Sequence, residues 1–262
     1  MTSPAFETTG PGRITYLDRL AASDLGRSYK RRMLGELGVR AGQIVLDLGC
    51  GPGTDLTALA EAVGGAGTVI GVDHDEAMVE TARTRTAGLP GVDVRLGDIH
   101  DLALPDRAAD RARTDRVLQH VADPVRALAE IRRVLRPGGR LVMGEPDWAT
   151  LAVDHPDEAL TRAYTRHVTD EVIRNASIGR QLPRLAAESG FAVPSVLPVT
   201  PVFRDPRTAD RVLGLERTTR RATAAGHFTE EAADRWLTHL AEGPFLATVT
   251  FYIVTAEVPA GA

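Results

Sequence analysis

Val45-Leu46-Asp47-Leu48-Gly49-Cys50-Gly51-Pro52-Gly53-Thr54 decides how this chain is read. An apolar run with β character, Ile44 to Leu48, carries one acid near its end and enters a turn with three glycines in five positions. A helix-compatible segment follows from near Thr54. Glycine tolerates backbone angles closed to other residues and lets the main chain approach a ligand with no side chain between. The helix start then offers unpaired N–H groups and a positive dipole end to an anionic group such as a carboxylate. The loop therefore reads as a cradle for a small molecule.

Two nucleotide cradles share this strand-loop-helix geometry, and neither fits well. Dinucleotide folds want G-x-G-x-x-G with the pyrophosphate on the helix N-terminus. Here the third glycine comes one residue early and Pro52 lies inside the loop. A P-loop needs Lys-Ser or Lys-Thr after its glycines, yet Lys30 is the only lysine in the chain. A plain turn would not need three glycines and their entropic cost.

Outward from the loop, apolar spacing predicts helices over 55–63 and 75–87 and short strands over 69–72 and 92–96. Alternation of this kind implies a parallel sheet covered on both faces. Ligands of such sheets bind beyond the carboxyl ends of the strands. Asp47, Asp73, Asp98 and Thr114 all fall at or near predicted strand ends. Four separate stretches thus converge on one edge.

With these residues in hand, Asp47-Leu48-Gly49-Cys50-Gly51-Pro52-Gly53 resembles motif I of the class I S-adenosylmethionine-dependent methyltransferases. The resemblance continues in order. Val69-Ile70-Gly71-Val72-Asp73 is similar to the second strand with its ribose-binding acid, and Val94-Arg95-Leu96-Gly97-Asp98-Ile99 to the third strand with its adenine-contacting Asp. Val117-Leu118-Gln119-His120-Val121-Ala122-Asp123-Pro124 resembles the motif after strand four, and Leu135-Arg136-Pro137-Gly138-Gly139-Arg140-Leu141 the turn before strand five. The style is that of the small-molecule, ubiquinone/menaquinone-type (methyltransferase type 11) branch, and the combination resembles actinobacterial natural-product enzymes, among them indole C-methyltransferases.

The resemblance implies a Rossmann-like, seven-stranded, mostly parallel sheet with helices on both faces. It also implies an N-terminal helical arm over 1–40, a cofactor core over 41–150 and a substrate half over 151–262. That half holds a helical insertion, about 206–243, ahead of the last strand. The cofactor implied is S-adenosylmethionine, with S-adenosylhomocysteine as product. Asp73 would take both ribose hydroxyls, since a carboxylate accepts two hydrogen bonds at once. Its other reading is a helix N-cap before Glu76. Asp98 and Ile99 would frame the adenine, Met78 would pack on the adenosine, and Asp47 would meet the methionyl ammonium. Gly49, Cys50, Gly51 and Gly53 would line the methionine and ribose, with His74, Thr114 and Tyr29 completing the set. Cys50 reads as a small loop residue, not a nucleophile.

Strand four departs from the pattern. Asp110-Arg111-Ala112-Arg113-Thr114 places two arginines where a buried strand is apolar. Either they reach the ligand end and pair with acids such as Asp115, or the register is displaced.

Composition narrows the function. The chain has 262 residues, a formal charge of −4 and one cysteine. Such a length holds one large domain with an elaboration. The charge offers no broad attraction for nucleic acid, and the Arg31-Arg32, Arg132-Arg133 and Arg220-Arg221 pairs are scattered among acids. A single cysteine excludes an internal disulfide. No signal sequence or membrane-spanning apolar run is seen, so the expected place is the cytoplasm. The first dozen residues, rich in Thr, Pro and Gly, are expected to be disordered.

Three segments can enclose an acceptor. The arm from Ile14 to Leu37 reads as helical and carries Tyr16, Tyr29 and Arg32. The second segment, Glu145 to Asn175, opens with Glu145-Pro146-Asp147-Trp148. The third lies between predicted strands Val193–Phe203 and Ala247–Thr255. It shows two helical patterns separated by Gly226-His227-Phe228-Thr229-Glu230, with Thr229 as N-cap. It reads as a lid, or alternatively as a structural flap or a homodimer contact.

Methyl transfer needs alignment above all, with reacting atoms roughly 3–3.5 Å apart. A base is needed only where the nucleophile must lose a proton. His120, just after strand four and titrating near neutrality, is the first candidate; Tyr16, Glu216 and His167 follow. Gln119, Trp148 and His167 are expected on the acceptor side, with Trp148 either stacking on a flat molecule or anchoring the loop after strand five. No metal is expected: His155 and His167 lack an i, i+4 partner, and Asp147 with Asp154 matches no recognised spacing. The reading is methyl transfer to a small planar acceptor, foremost carbon methylation of a tryptophan-derived indole, otherwise a quinone or phenol precursor. From other classes come a cofactor-binding scaffold without turnover and, more distantly, an oxidoreductase.

Overall fold

The computed structural model describes residues 11–261. The disorder expected of the first dozen residues falls largely outside that span, and Pro11 and Gly12 open a helix. The arm forms two helices, α1 (Pro11–Ala22) and α2 (Asp24–Leu37). They part at Ser23, whose Oγ accepts the Gly26 amide at 3.0 Å and caps α2.

The core then alternates: β1 (Ile44–Leu48), α3 (Leu56–Val63), β2 (Thr68–Asp73), α4 (Glu76–Thr86), β3 (Val92–Leu96), β4 (Ala109–Asp115), α5 (Pro124–Val134) and β5 (Leu135–Val153). The chain continues with α6 (Glu158–His167), a π turn (Val168–Val172), α7 (Ile178–Glu188), β6 (Ala192–Val199) and β7 (Val202–Phe203). It ends with α8 (Pro206–Leu213), α9 (Leu215–Ala224), α10 (Glu230–Glu242) and β8 (Ala247–Glu257). The insert thus holds three helices where two patterns were read. Gly214, at φ 62°, caps α8 in the left-handed region and starts α9, splitting the first pattern. Thr229 caps α10 as expected, accepting the Ala232 amide at 3.1 Å.

The strands order as β3-β2-β1-β4-β5-β8-β6, with β7 also on β8. β1 to β5 run parallel, and β8 is antiparallel to β5 and β6. The expected seven-stranded, mostly parallel sheet is present, extended by the two-residue β7. Alternation sorts its side chains. Leu46, Leu48, Ile70, Val72 and Ala112 face α5 and α7, whereas Val45, Val69, Val94 and Val142 face α2, α3 and α4. Both layers are buried.

β5 and β8 continue past the ends of β1–β4, with a bulge between Asp147 and Ala152. This ribbon supports a third apolar cluster, built on Trp148, Tyr164, Trp236 and Val249 among others. Tyr164 and Trp236 stack at 5.3 Å within it. The helices of the insertion therefore have their own core, packed on the part of β5 and β8 that extends beyond the other strands.

Strand four keeps its expected register, with Arg113 opposite Asp47 and Thr114 opposite Leu48. Both arginines lie on the face that carries α2. Arg111 donates to the carbonyls of Leu37 and Asp110, while Arg113 reaches acids at the carboxyl edge.

Candidate active site

The glycine loop is fixed by the sheet beneath it. Gly49 and Cys50 donate their amides to the Val72 carbonyl at 2.7 and 3.1 Å. Gly51 donates to Asp73 Oδ2 at 2.8 Å. A Cβ on Gly49 would sit 2.3 Å from the Val117 side chain, so only glycine admits the loop after β4 this closely. Gly51, at φ 54°, would meet nothing nearer than Leu17 of α1, 3.6 Å away. Between them opens a cavity of about 660 Å³.

Asp73 is buried at the end of β2; its Oδ1 accepts the Asp75 amide at 3.0 Å. The N-cap of α4 is Asp75, not Asp73, because Asp75 accepts from Ala77 and Met78. Asp73 is thus released from capping and turned to the cavity, where each oxygen retains acceptor capacity. His74, Met78, Asp98 and Ile99 line the same side. Asp98 accepts the His100 amide at 2.9 Å and contacts its Nδ1 at 2.6 Å, and these bonds lower its pKa.

Next to the loop is a buried knot of charge. Lys30 Nζ lies 2.5 Å from Asp55 and 2.7 Å from Asp115. Arg113 stands 3.1 Å from each of the same two acids and 3.7 Å from Asp47. Burial works against every charge here. It raises Asp47 to about 6, with Arg113 opposing. Asp55 is brought down to about 2 because Arg113 and Lys30 outweigh its burial. Lys30 and Arg113 end above their ordinary values, burial notwithstanding, held there by the neighbouring acids. Tyr29 joins the knot, its hydroxyl 3.3 Å from Asp115 and its ring 4.7 Å from Phe251. Burial and the nearby Asp47 and Asp73 push the Cys50 thiol upward, which keeps it protonated.

The loop after β4 forms the opposite wall. Glu145, fully buried, accepts the amides of Val117 at 2.7 Å, Leu118 at 2.6 Å and Gln119 at 3.4 Å. Burial still pushes it up to about 8. Asn175 closes the loop from outside, donating to the Leu118 and Val121 carbonyls at 2.8 Å. His120, half-buried, lines the cavity beside Val117.

Of the residues singled out in the sequence, Asp47, Gly49, Cys50, Gly51, Asp73, His74, Met78, Asp98, Ile99, Tyr29 and His120 are brought to this one cavity. Others lie elsewhere. Thr114 is wholly buried within the sheet, and Gly53 packs on Ala82. Gln119 is spent on structure: its Oε1 accepts Trp148 Nε1 at 2.8 Å, so neither side chain lines the cavity. His167 is buried at the end of α6 against His227, where burial lowers its pKa. Glu216 is exposed and paired with Arg220 at 2.6 Å. Tyr16 stands behind Arg116, which donates to its hydroxyl at 3.0 Å, and donates in turn to the Val212 carbonyl at 3.1 Å. Asp115, expected only as a partner for the strand-four arginines, lines the cavity too, and so do Lys30, Asp55, Arg116 and Arg174, which had not been picked out as site residues. Asp55 comes just after the glycine loop, and that adjacency was a usable signal.

The cavity fits an adenosyl amino acid: a glycine edge, an acid at the second strand, an acid with an aliphatic neighbour at the third, and charge beside the loop. No cluster of metal-ligating side chains occurs among the described residues.

The comparisons agree with this geometry. A family model described as a methyltransferase domain matches residues 40–190, more than half of the chain. The chain belongs to that family: it is an S-adenosylmethionine-dependent methyltransferase of the small-molecule type, with S-adenosylmethionine as its cofactor. It is 60% identical over 257 residues to an uncharacterized 37.1 kDa protein in transposon TN4556 of Streptomyces fradiae, covering 98% of this chain and 74% of that one. It is 35% identical over 137 residues to a demethylmenaquinone methyltransferase of Staphylococcus aureus, where the match spans 52% of this chain and 57% of that one. In fold it resembles a SAM-dependent methyltransferase from Aquifex aeolicus, with a TM-score of 0.56, 24% identity, and coverage of 72% and 93%.

Proposed function

We propose that the protein methylates a small, planar natural-product acceptor, foremost at carbon on a tryptophan-derived indole. The observation that carries this reading is the cavity itself. Acids and glycines suited to an adenosyl group line one wall, His120 lines the other, and the arm helix α1 crosses the opening through Leu17 and Leu20.

In this reading Asp73 holds the ribose hydroxyls, and Asp98 with Ile99 frames the adenine. Asp47 meets the methionyl ammonium, supported by the Lys30–Arg113 knot. The cofactor, when bound, supplies a methyl group on a good leaving group. The chain's own contribution is alignment and exclusion of water, and α1 and α2, whose Leu17, Leu20, Tyr29 and Lys30 line the cavity, are suited to both. A 3-substituted indole that takes the methyl at C3 becomes an indolenium cation; His120 receives its N–H proton, unless a pendant amine closes onto C2 and gives up an amine proton instead. Residues 1–40 act as arm, 41–150 as cofactor core and 151–262 as acceptor half, with 206–243 as lid. One cysteine suits a reducing cytoplasm, and no described helix is long and apolar enough to cross a membrane.

Incubation with methyl-labelled S-adenosylmethionine and a panel of indoles, quinones and phenols tests the reading. Label on an indole carbon supports it; label on oxygen or nitrogen alone rejects the carbon route. The likeness to demethylmenaquinone methyltransferase favours a quinone or phenol precursor as the second reading. Binding of the cofactor with no product across the panel would favour a scaffold.

A further inference from the structure

The acids and bases of the cavity are unevenly answered. On the cofactor side Asp55 and Asp115 meet Lys30 and Arg113, and Arg13 meets Asp75 at 3.0 Å. Arg116 and Arg174 reach the same cavity as His120, and Arg174 is exposed without an acidic partner among the described residues.

Arg116 is held in place at a backbone cost. Its φ is 60°, left-handed for a residue that disfavours it, while its amide donates to the Gly144 carbonyl at 2.8 Å. That bond continues the β4–β5 pairing one residue beyond Asp115 and enforces the turn. Strain of this kind persists where the surroundings over-determine it, and it gathers at ligand sites. The guanidinium lies 5.5 Å from the Tyr16 ring centre and donates to the Tyr16 hydroxyl, which in turn ties to α8 through Val212.

Arg174 is placed by a different device. It follows the π turn Val168–Val172, a rare form that recurs at functional sites. The next residue, Asn175, donates its amide to the Gln119 carbonyl at 3.1 Å and its side chain to Leu118 and Val121. Arg174 is thereby stapled against the loop that carries His120.

We propose that the acceptor carries an oxyanion group, a carboxylate or a phosphate, received by Arg116 and Arg174 beside His120. Guanidinium forks match both groups in shape and charge. An acceptor anchored there would present its reacting atom past His120 toward the glycine loop. The inference rests on the methyltransferase reading of the same cavity and narrows its acceptor to acids.

The test is calorimetric, on protein first saturated with S-adenosylhomocysteine. The probes are indole-3-acetate against indole-3-acetamide, 4-hydroxybenzoate against 4-hydroxybenzamide, and phenyl phosphate against phenol. In at least one pair the anion should bind about tenfold tighter than its neutral twin. Arg174→Gln, on an exposed side chain, should bring the two within about twofold while S-adenosylhomocysteine affinity stays unchanged; Arg116→Met should do the same where it folds. Which pair shows the preference separates carboxylate from phosphate. Neutral twins that bind as tightly, anions that do not bind at all, or a preference that survives Arg174→Gln would overturn the proposal. Failure of S-adenosylhomocysteine to bind in the first step would instead strike the cofactor site.

Discussion

Lys30 Nζ lies 2.7 Å from Asp115, so the only lysine of the chain ties the arm helix α2 to the end of β4. The same ammonium contacts Asp55 at 2.5 Å, just ahead of α3. Lys30→Met would leave Asp47, Asp55 and Asp115 with Arg113 alone. Removing one partner of a buried ion pair costs about 3 kcal/mol or more. The urea midpoint should fall accordingly, and Lys30→Met with Asp115→Asn should recover part of the loss. An unchanged midpoint would mean that the knot contributes nothing.

Glu145 predicts a slope of stability with pH. Its folded pKa is raised from 4.5 to about 8 by burial, so between those values the native chain keeps a proton that the unfolded chain has lost. Stability is therefore fully present below about pH 4.5 and falls as pH rises toward 8, by at most ~1.4 kcal/mol per unit. Asp47, raised from 3.8 to about 6, acts in the same direction over the lower part of this window. Glu145→Gln keeps an acceptor for Val117 and Leu118 and should flatten the slope between pH 6 and 8. Equal slopes in the two proteins would contradict the assignment.

Tyr16 ties α1 to α8: it accepts from Arg116 and donates to the Val212 carbonyl. Tyr16→Phe removes both bonds, each worth about 1 kcal/mol. Hydrogen exchange in α8 should quicken while the core strands stay protected. Unaltered exchange in α8 would show that the helix is held by its apolar cluster alone.

His120 is given the acceptor's proton. His120→Ala should lower kcat by about a hundredfold or more, with S-adenosylhomocysteine affinity little changed. Full turnover in the variant would reject the base.

The core was legible because its signals are local. The Ile44–Leu48 run, the glycine loop and the acids at strand ends each carry their meaning within a few residues, and their order alone predicts the sheet. The insertion was less legible. A single residue, Gly214 in the left-handed region, decides between two helices and three, and the sequence does not announce which glycines turn left-handed. Gln119 and Trp148 bind each other across 29 positions, a pairing that no local pattern reports. Arg113 is a mixed case: Asp115, two residues on, was already offered by the sequence as its partner, while Asp55 reaches it only once the chain is folded.

The central claim is that the loop tied by Gly51 to Asp73 grips S-adenosylmethionine. Titrating S-adenosylhomocysteine into the wild-type protein and into Asp73→Ala tests it most directly. The account predicts one site per chain in the first and at least about tenfold weaker binding, ~1.4 kcal/mol, in the second. Equal affinity in the two folded proteins, or no heat in either, would contradict it.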